Sequence, residues 1–293
     1  MKKYLSLLLT LALIFSLAGP AQTVSAATVK LNKSNLSLTE GATFTLKVSG
    51  TKSKVTWSSS KKTVATVSAK GVVSAKKAGS TTVSATVNKK KYTCKVTVVE
   101  QFNATAASKN IKSELFDTGS GVIAILKNNN KYSVSLDATM VYMDASGKAI
   151  GKSTADNYYF EAGKECALSF SAPYDSNYDN VQYSSYKISY KLSELSSSIK
   201  SALSDIVVDS NIGVDNVMVN VKNESTKSPE FTIVSIVFYK DGAAVGYNYS
   251  YAHVESSGSE DYLDFSYPYD SNYETIQIDD YKVFVNGSYY YTW

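Results

Sequence analysis

The sequence predicts an all-β protein in which three sandwich-like domains follow an export leader. Three observations carry this. Apolar residues alternate with polar ones over short runs bounded by Gly, Pro, Asn and Ser turn signals. The C-terminal two thirds repeats itself at a spacing of 95 residues, which is the period of whole domains rather than of a solenoid. At 293 residues the chain also exceeds what one hydrophobic core usually fills.

Residues 1–26 have the layout of a signal peptide. Lys2 and Lys3 supply positive charge, Leu5 to Leu17 is almost wholly apolar, Gly19-Pro20 breaks the run, and Val24-Ser25-Ala26 offers the small side chains a signal peptidase reads. Cleavage is expected after Ala26. The apolar run falls short of the roughly 20 residues of a membrane-spanning helix, and no later segment is apolar enough to cross. The mature chain is therefore expected to be secreted or extracellular, with cell-wall association left open.

Residues 27–100 read as about seven short strands. Val29, Leu31, Leu36 and Leu38 alternate with polar residues before a Glu40-Gly41 turn, and Phe44, Leu46 and Val48 alternate after it. Val55 and Trp57, Val64 and Val67, Val72-Val73, and Val83, Ala85 and Val87 continue the pattern, and Tyr92, Cys94, Val96 and Val98 share the last face. The order Val55-Thr-Trp57, Val64-Ala-Thr-Val67, Gly71-Val72-Val73, Ala78-Gly79 and Val83-Ser-Ala-Thr-Val87 resembles the bacterial group 2 immunoglobulin-like domain. That resemblance implies a sandwich centred on Trp57, and a spacer or adhesive module of extracellular proteins rather than an enzyme.

Residues 101–194 and 195–293 are expected to be two copies of one antiparallel sandwich, joined to the first domain by a Ser/Ala/Asn-containing linker near 101–110. Phe170-Ser-Ala-Pro173-Tyr-Asp-Ser-Asn-Tyr178 returns as Phe265-Ser-Tyr-Pro268-Tyr-Asp-Ser-Asn-Tyr273, and Val122 to Asn128 returns as Val217 to Asn223. Tyr142-Met-Asp144 with Gly147 and Gly151 aligns with Tyr239-Lys-Asp241, Gly242 and Gly246. The strand ending in Val-Lys-Asn, the Tyr-x-Asp turn and a strand closing on Leu-x-Phe are similar to FxLYD-type domains of bacterial envelope proteins. That family implies no activity. Between the copies, Leu192, Leu195, Ile199 and Leu203 fall at helical spacing and predict a short linker helix.

Charge is unevenly spread. Residues 27–100 hold 14 Lys against two Glu, whereas 101–293 hold 14 Lys against 24 Asp and Glu, with the deficit almost all in the second copy. Two readings of the basic domain stand: contact with an anionic envelope polymer or lipid surface, or a solvated face that keeps an exported domain soluble. Nucleic acid is not expected as a partner, because the compartment is wrong and every basic residue is Lys, leaving no guanidinium fork for phosphate. Cys94 and Cys166 both fall on apolar strand faces of different domains, so a disulfide between them is not expected.

No catalytic constellation is visible. The single His, His253, has no nucleophile motif beside it, reads as a strand position on a Tyr-rich face, and the chain is expected not to be an enzyme. The acidic turns are more suggestive. Asp175, Asn177 and Asp179, repeated as Asp270, Asn272 and Glu274, place oxygen ligands at alternate positions as calcium loops do. Position six lacks Gly and position twelve is Tyr186 or Tyr281, so no EF-hand is present. The choice is between another kind of calcium site and an Asx turn after Pro. No other cofactor is expected. Tyr174, Tyr178, Tyr269 and Tyr273 flank the same turns as candidate ligand contacts, near Tyr183, Tyr186 and Tyr267, against the alternative that they fill cross-strand positions. The expected role is a non-catalytic surface or secreted binding or scaffold protein whose ligand is a cell-wall polymer, surface carbohydrate or protein. The alternatives are a self-associating structural component and a calcium-binding module that contacts carbohydrate.

Overall fold

The computed structural model describes residues 28–177, 179–270 and 272–292, so the expected leader lies outside the described residues. The described residues fall into two compact units, divided between residues 101 and 102.

The first unit contains β1 (Lys30–Leu31), β2 (Asn35–Thr39), β3 (Thr43–Thr45), β4 (Val48–Ser49), β5 (Thr56–Ser59), β6 (Ala65–Val67), β7 (Val72–Ala75), β8 (Gly79–Val87) and β9 (Lys90–Val99). A four-stranded sheet, β2-β9-β8-β5, faces a three-stranded one, β3-β7-β6, while β1 and β4 pair separately. Alternation decides what faces inward: in β9, Cys94, Val96 and Val98 are buried while Thr93 and Lys95 are exposed. Their partners in the core include Leu46, Val73 and Val83, and Trp57 packs against this cluster. Gly71 shows why its turn excludes other residues. Its φ is +81°, and a Cβ there would run into the Leu46 carbonyl and lie 2.8 Å from the Trp57 ring. The β8–β9 hairpin turns on Asn88 and Lys89, both at positive φ, the geometry a two-residue loop needs to match strand twist.

The second unit begins with a short helix, α1 (Ala104–Ser108), whose N-terminus is capped by the Asn103 side chain accepting from the Ala106 N–H at 2.9 Å. The expected linker thus carries structure, and Ala107 is buried in the adjoining core. β10 (Ile111–Asp117), β11 (Gly121–Asn128), β12 (Val134–Met143), β13 (Ala149–Phe160), β14 (Glu165–Ser171) and β15 (Ser185–Glu194) follow. They form sheets β10-β11-β14 and β13-β12-β15. After β16 (Ile199–Ser201), the strands β17 (Ile206–Ile212), β18 (Asn216–Asn223), β19 (Phe231–Lys240), β20 (Ala243–Tyr251), β21 (Glu260–Ser266) and β22 (Asp280–Tyr291) repeat that plan. Their sheets are β17-β18-β21 and β16-β22-β19-β20.

Two sequence expectations need correction. No linker helix forms at 192–203: Leu192 is a buried residue of β15, and Ile199 belongs to β16, which pairs with the end of β22. Only Leu203–Asp205 turns, as a 3-10 helix. Sheet pairing and burial of Ile199 against Tyr159 and Tyr289 outweigh a helical pattern that was rich in Ser, a mediocre helix former. The second correction concerns Tyr142, whose structural counterpart is Phe238 rather than Tyr239. Tyr142 pairs with Gly151 and Tyr186, and Phe238 with Gly246 and Tyr281. Tyr239 points instead away from its own core.

The repeat is explained by two devices. Asn128 and Asn223 are wholly buried at the ends of β11 and β18. Asn128 donates to the Phe160 carbonyl at 2.9 Å and accepts from the Asn130 N–H at 3.0 Å. Asn223 donates to the Val254 carbonyl at 2.9 Å and accepts from the Ser225 N–H at 2.9 Å. Each side chain therefore ties two chain segments that leave the sheet. Gly151 and Gly246 answer a different need. A Cβ would sit 2.5 Å from Pro173 in one copy and 2.6 Å from Pro268 in the other, so the proline of each Pro-Tyr-Asp turn packs directly on a bare backbone.

Asn223→Ala is expected to cost about 2–3 kcal/mol, because it strands a buried carbonyl and an N–H that water cannot reach. Urea denaturation read by circular dichroism checks this, with the exposed Asn248→Ala as a control that should change little.

Candidate functional site

The residues singled out from sequence fall at turns. Asp175 accepts from the N–H groups of Asn177 at 2.8 Å and Asp179 at 3.0 Å, and Asp270 from those of Asn272 at 2.8 Å and Glu274 at 2.9 Å. Bridges between Tyr174 and Asn180 and between Tyr269 and Thr275 close the two loops. In both, the leading carboxylate spends one oxygen on its own backbone, as an Asx turn does. Among the described residues, no three His, Cys, Asp or Glu side chains gather in a manner that could hold a metal ion. Tyr174, Tyr269 and Tyr273 are exposed, with Tyr273 at positive φ, and Tyr178 lies outside the described residues. Tyr183 and Tyr186 instead pack against Tyr142 in the first core, and Tyr267 against Phe238 in the second. His253 lies just past β20 with its side chain 79% exposed, 3.5 Å from Glu255, so it is not a strand position.

The structure draws attention to a place the sequence did not mark, the seam between the two repeats. The sheet β10-β11-β14 is buried on both faces. One face, with Val122, Ala124 and Leu126, fills its own core. The other, with Ile123, Ile125 and Ala167, packs on Val237, Ala244 and Phe284 of the second repeat. A polar lock stands beside this apolar contact. β22 bulges opposite Ile233 and Val234, which frees Asn286 to reach across the seam. Its amide donates to the Ala167 carbonyl at 2.8 Å and accepts from the Ala167 N–H at 3.1 Å and the Ser235 hydroxyl at 2.9 Å. Asn157, next to a matching irregularity in β13, donates to the Asn286 carbonyl and accepts from the Tyr159 N–H at 3.0 Å.

Where the seam opens, it forms a groove of about 510 Å³. One wall is β20, whose period of two places Tyr247, Tyr249 and Tyr251 on one face, with successive ring centroids 6.3 Å apart. The opposite wall is Thr154 to Tyr158 of β13, and Leu168, Ser169, Ile233 and Asn286 also line the space. The rings continue beyond it without interruption. Tyr251 touches Phe231, Phe231 touches Tyr289, and Tyr289 touches Tyr158 at centroid distances of 6.4, 6.3 and 5.2 Å. Burial raises the Tyr247 hydroxyl above its ordinary value, so it is a neutral hydrogen-bonding group at physiological pH. A second hollow of about 700 Å³ shares Ser169 and Tyr247 with the groove and carries Tyr269, Asp270 and Asn180. Two of the residues singled out from sequence thus do reach the seam. Alternating Tyr at 247, 249 and 251 was the available signal for the rest, but repeat-to-repeat packing was needed to give that face an opposite wall.

Residues 25–98 match the family model described as the bacterial Ig-like domain (group 2). No curated protein matches the chain. Among solved structures, the chain is similar to domains 5–6 of the S-layer protein SbsC, at 16% identity and a TM-score of 0.23, over 79% of this chain and 97% of that one. It is similar to red sea bream transglutaminase at 12% identity and a TM-score of 0.20, over 54% and 27%. Salmonella alpha-2-macroglobulin reacted with methylamine gives 8% identity and a TM-score of 0.18, over 92% and 23%. At scores this low the three likenesses carry no functional meaning.

Two expectations follow from the turns and rings. Asp270→Ala should lower stability by about 1 kcal/mol through loss of the turn's hydrogen bonds, equally with calcium and with chelator. A midpoint that rises with calcium in the parent, and not in the variant, would make the turn a cation site instead. Burial also pushes the Tyr142 and Tyr289 hydroxyls up to about 12. With an unfolded value near 10, the native state keeps protons that the unfolded chain releases, so stability should fall as pH rises between about 10 and 12. Spectrophotometric titration should show a set of tyrosines ionising only as the β-sheet signal is lost.

Proposed function

We propose that this is an exported, non-catalytic binding protein in which the Ig-like unit rests on an anionic envelope polymer and the seam groove receives a second ligand. The observation that carries the reading is the groove itself: an open channel of ligand size lined by four tyrosines, with side-chain amides, hydroxyls and one carboxylate among them. The chemistry elsewhere supports it. Cys166 is buried and its thiol pushed up to about 12, and burial also raises Cys94, so neither is a thiolate at neutral pH. The single His is at the surface beside a carboxylate.

The basic unit supports the first half of the reading. All 14 Lys of residues 27–100 are exposed, and three of them, Lys89, Lys90 and Lys91, stand together at the tip of the β8–β9 hairpin. An exposed Lys near an anionic surface contributes up to about 1 kcal/mol. The competing reading, self-assembly by edge-to-edge strand pairing, is weakened by the edges themselves. The Tyr249 N–H on edge strand β20 is capped by Asn248, and the Tyr262 N–H on edge strand β21 by Asp261, each at 2.8–2.9 Å, so these edges offer fewer free donors to another chain.

Co-sedimentation with purified cell walls, across a salt series, tests the reading. Retention should fall with salt, and reversing Lys89, Lys90 and Lys91 to Glu should weaken it at least tenfold at low salt. Retention indifferent both to salt and to that reversal would remove the electrostatic half of the proposal.

A further inference from the structure

We infer that the seam groove takes an uncharged polysaccharide chain, laid along Tyr247, Tyr249 and Tyr251 beneath Tyr158. This rests on the groove being a ligand site, as proposed above, and adds the chemistry of its occupant.

The first argument is the presentation of the rings. Tyr158, Tyr249 and Tyr251 are 46%, 54% and 49% exposed, an unusual outlay of aromatic surface unless something covers it. A tyrosine gives a flat apolar face and a hydroxyl rim with little rotamer entropy to lose. A pyranose ring has the complementary form, with C–H groups on its faces and hydroxyls around its edge. Asp156 and Asn248 line the same space and can exchange hydrogen bonds with sugar hydroxyls.

Charge excludes the other polymers of an envelope. Neither the groove nor the adjoining hollow is lined by a Lys, while Asp156 lies in one and Asp270 in the other. The second repeat as a whole, 195–293, holds five Lys against 14 Asp and Glu. A phosphate- or carboxylate-bearing chain would enter against that field with no cation to meet it. The protein thus separates two tasks, anions to the Lys-rich unit and neutral chains to the seam.

The shape favours a chain over a single sugar and over a peptide. The groove and the hollow adjoin at Ser169 and Tyr247, so ligand-sized space lies on both sides of Tyr247, with Tyr269 on the far side. An extended peptide would bind most strongly by adding a strand to β20, but Asn248 already caps the Tyr249 N–H there. The walls are fixed before any ligand arrives, because Asn157 and Asn286 hold β13, β14 and β22 together at the groove's base. A preformed site loses less entropy on binding.

Isothermal titration of the full protein with the hexamers of β-1,4-linked N-acetylglucosamine and of β-1,4-linked glucose, and with poly(glycerol phosphate), tests this. At least one neutral hexamer should bind with an affinity that salt barely alters, and Tyr249→Ala and Tyr158→Ala should each weaken it about tenfold. Tyr249→Phe should keep most of the affinity, and Tyr262→Ala, also exposed but outside the groove, should keep all of it. The half-exposed positions of the groove tyrosines mean that thermal midpoints should stay within a few degrees, which separates lost binding from lost folding. If only the phosphate polymer binds and the tyrosine variants abolish it, the assignment to neutral chains is overturned while the groove survives as a site; if none of the three binds, the assignment and the groove reading both fall. If a hexamer binds and the variants leave it unchanged, the groove reading falls too.

Discussion

A single bulge organises the second unit. Because β22 carries one residue more than its partner β19 opposite Ile233 and Val234, Asn286 turns out of the ladder and satisfies both backbone groups of Ala167 in the neighbouring sandwich. A buried, fully satisfied amide strengthens a contact and also fixes its register, since any slip would strand several polar groups in a dry interface. The apolar cluster of Ile123, Ile125, Val237 and Phe284 beside it supplies burial without direction. Burial alone would let two flat sheet faces slide, and the amide lock does not. The four sheets of 102–293 are therefore one stack rather than two independent sandwiches.

The same division recurs inside each repeat. Aliphatic and aromatic side chains fill the cores, and a few polar side chains decide how the chain leaves and re-enters the sheets. Asn128 and Asn223 hold the exits of β11 and β18 and the turns before β14 and β21. Pro173 and Pro268 dock on Gly151 and Gly246. These positions tolerate little change, because one buries an amide that needs every partner and the other leaves no room for a Cβ. The repeats differ where packing differs. Repeat two gains β16 at one edge of its larger sheet, and its Tyr239 and Tyr247 are turned toward the first repeat, whose Phe116 meets Tyr239 edge-on at 5.9 Å.

The groove lies where this packing stops. Past Val237 and Phe284 the same outer face of β19, β20 and β22 continues as Tyr249, Tyr251 and Phe231, partly uncovered, and the buried Tyr289. An interface that ends in a row of aromatic rings leaves a channel with one wall from each repeat. The lock holds its base and the rings line it. The Lys-rich unit is the opposite case, with 14 exposed Lys, and the envelope contact proposed for it would be sensitive to salt where the contact proposed for the groove would not.

Much was legible before any coordinates. Period-two alternation is a local consequence of the pleat, so the strands of the Ig-like unit, the repeat and the inward faces of Cys94 and Cys166 could be read directly. The turn role of Asp175 and Asp270 was one of two readings, and the geometry shows the leading carboxylates bound to their own loops. Tertiary structure alone decided that Leu192 to Leu203 is strand and turn rather than helix, because Leu192 pairs with Leu136 of β12 and Ile199 with Tyr291 of β22, both far away in sequence. It also decided that the exposed tyrosines of β13 and β20 line one groove. A sequence records which side of a strand a ring occupies. It does not record what that side will face, because this depends on a bulge and a buried amide whose partners are more than 100 residues distant.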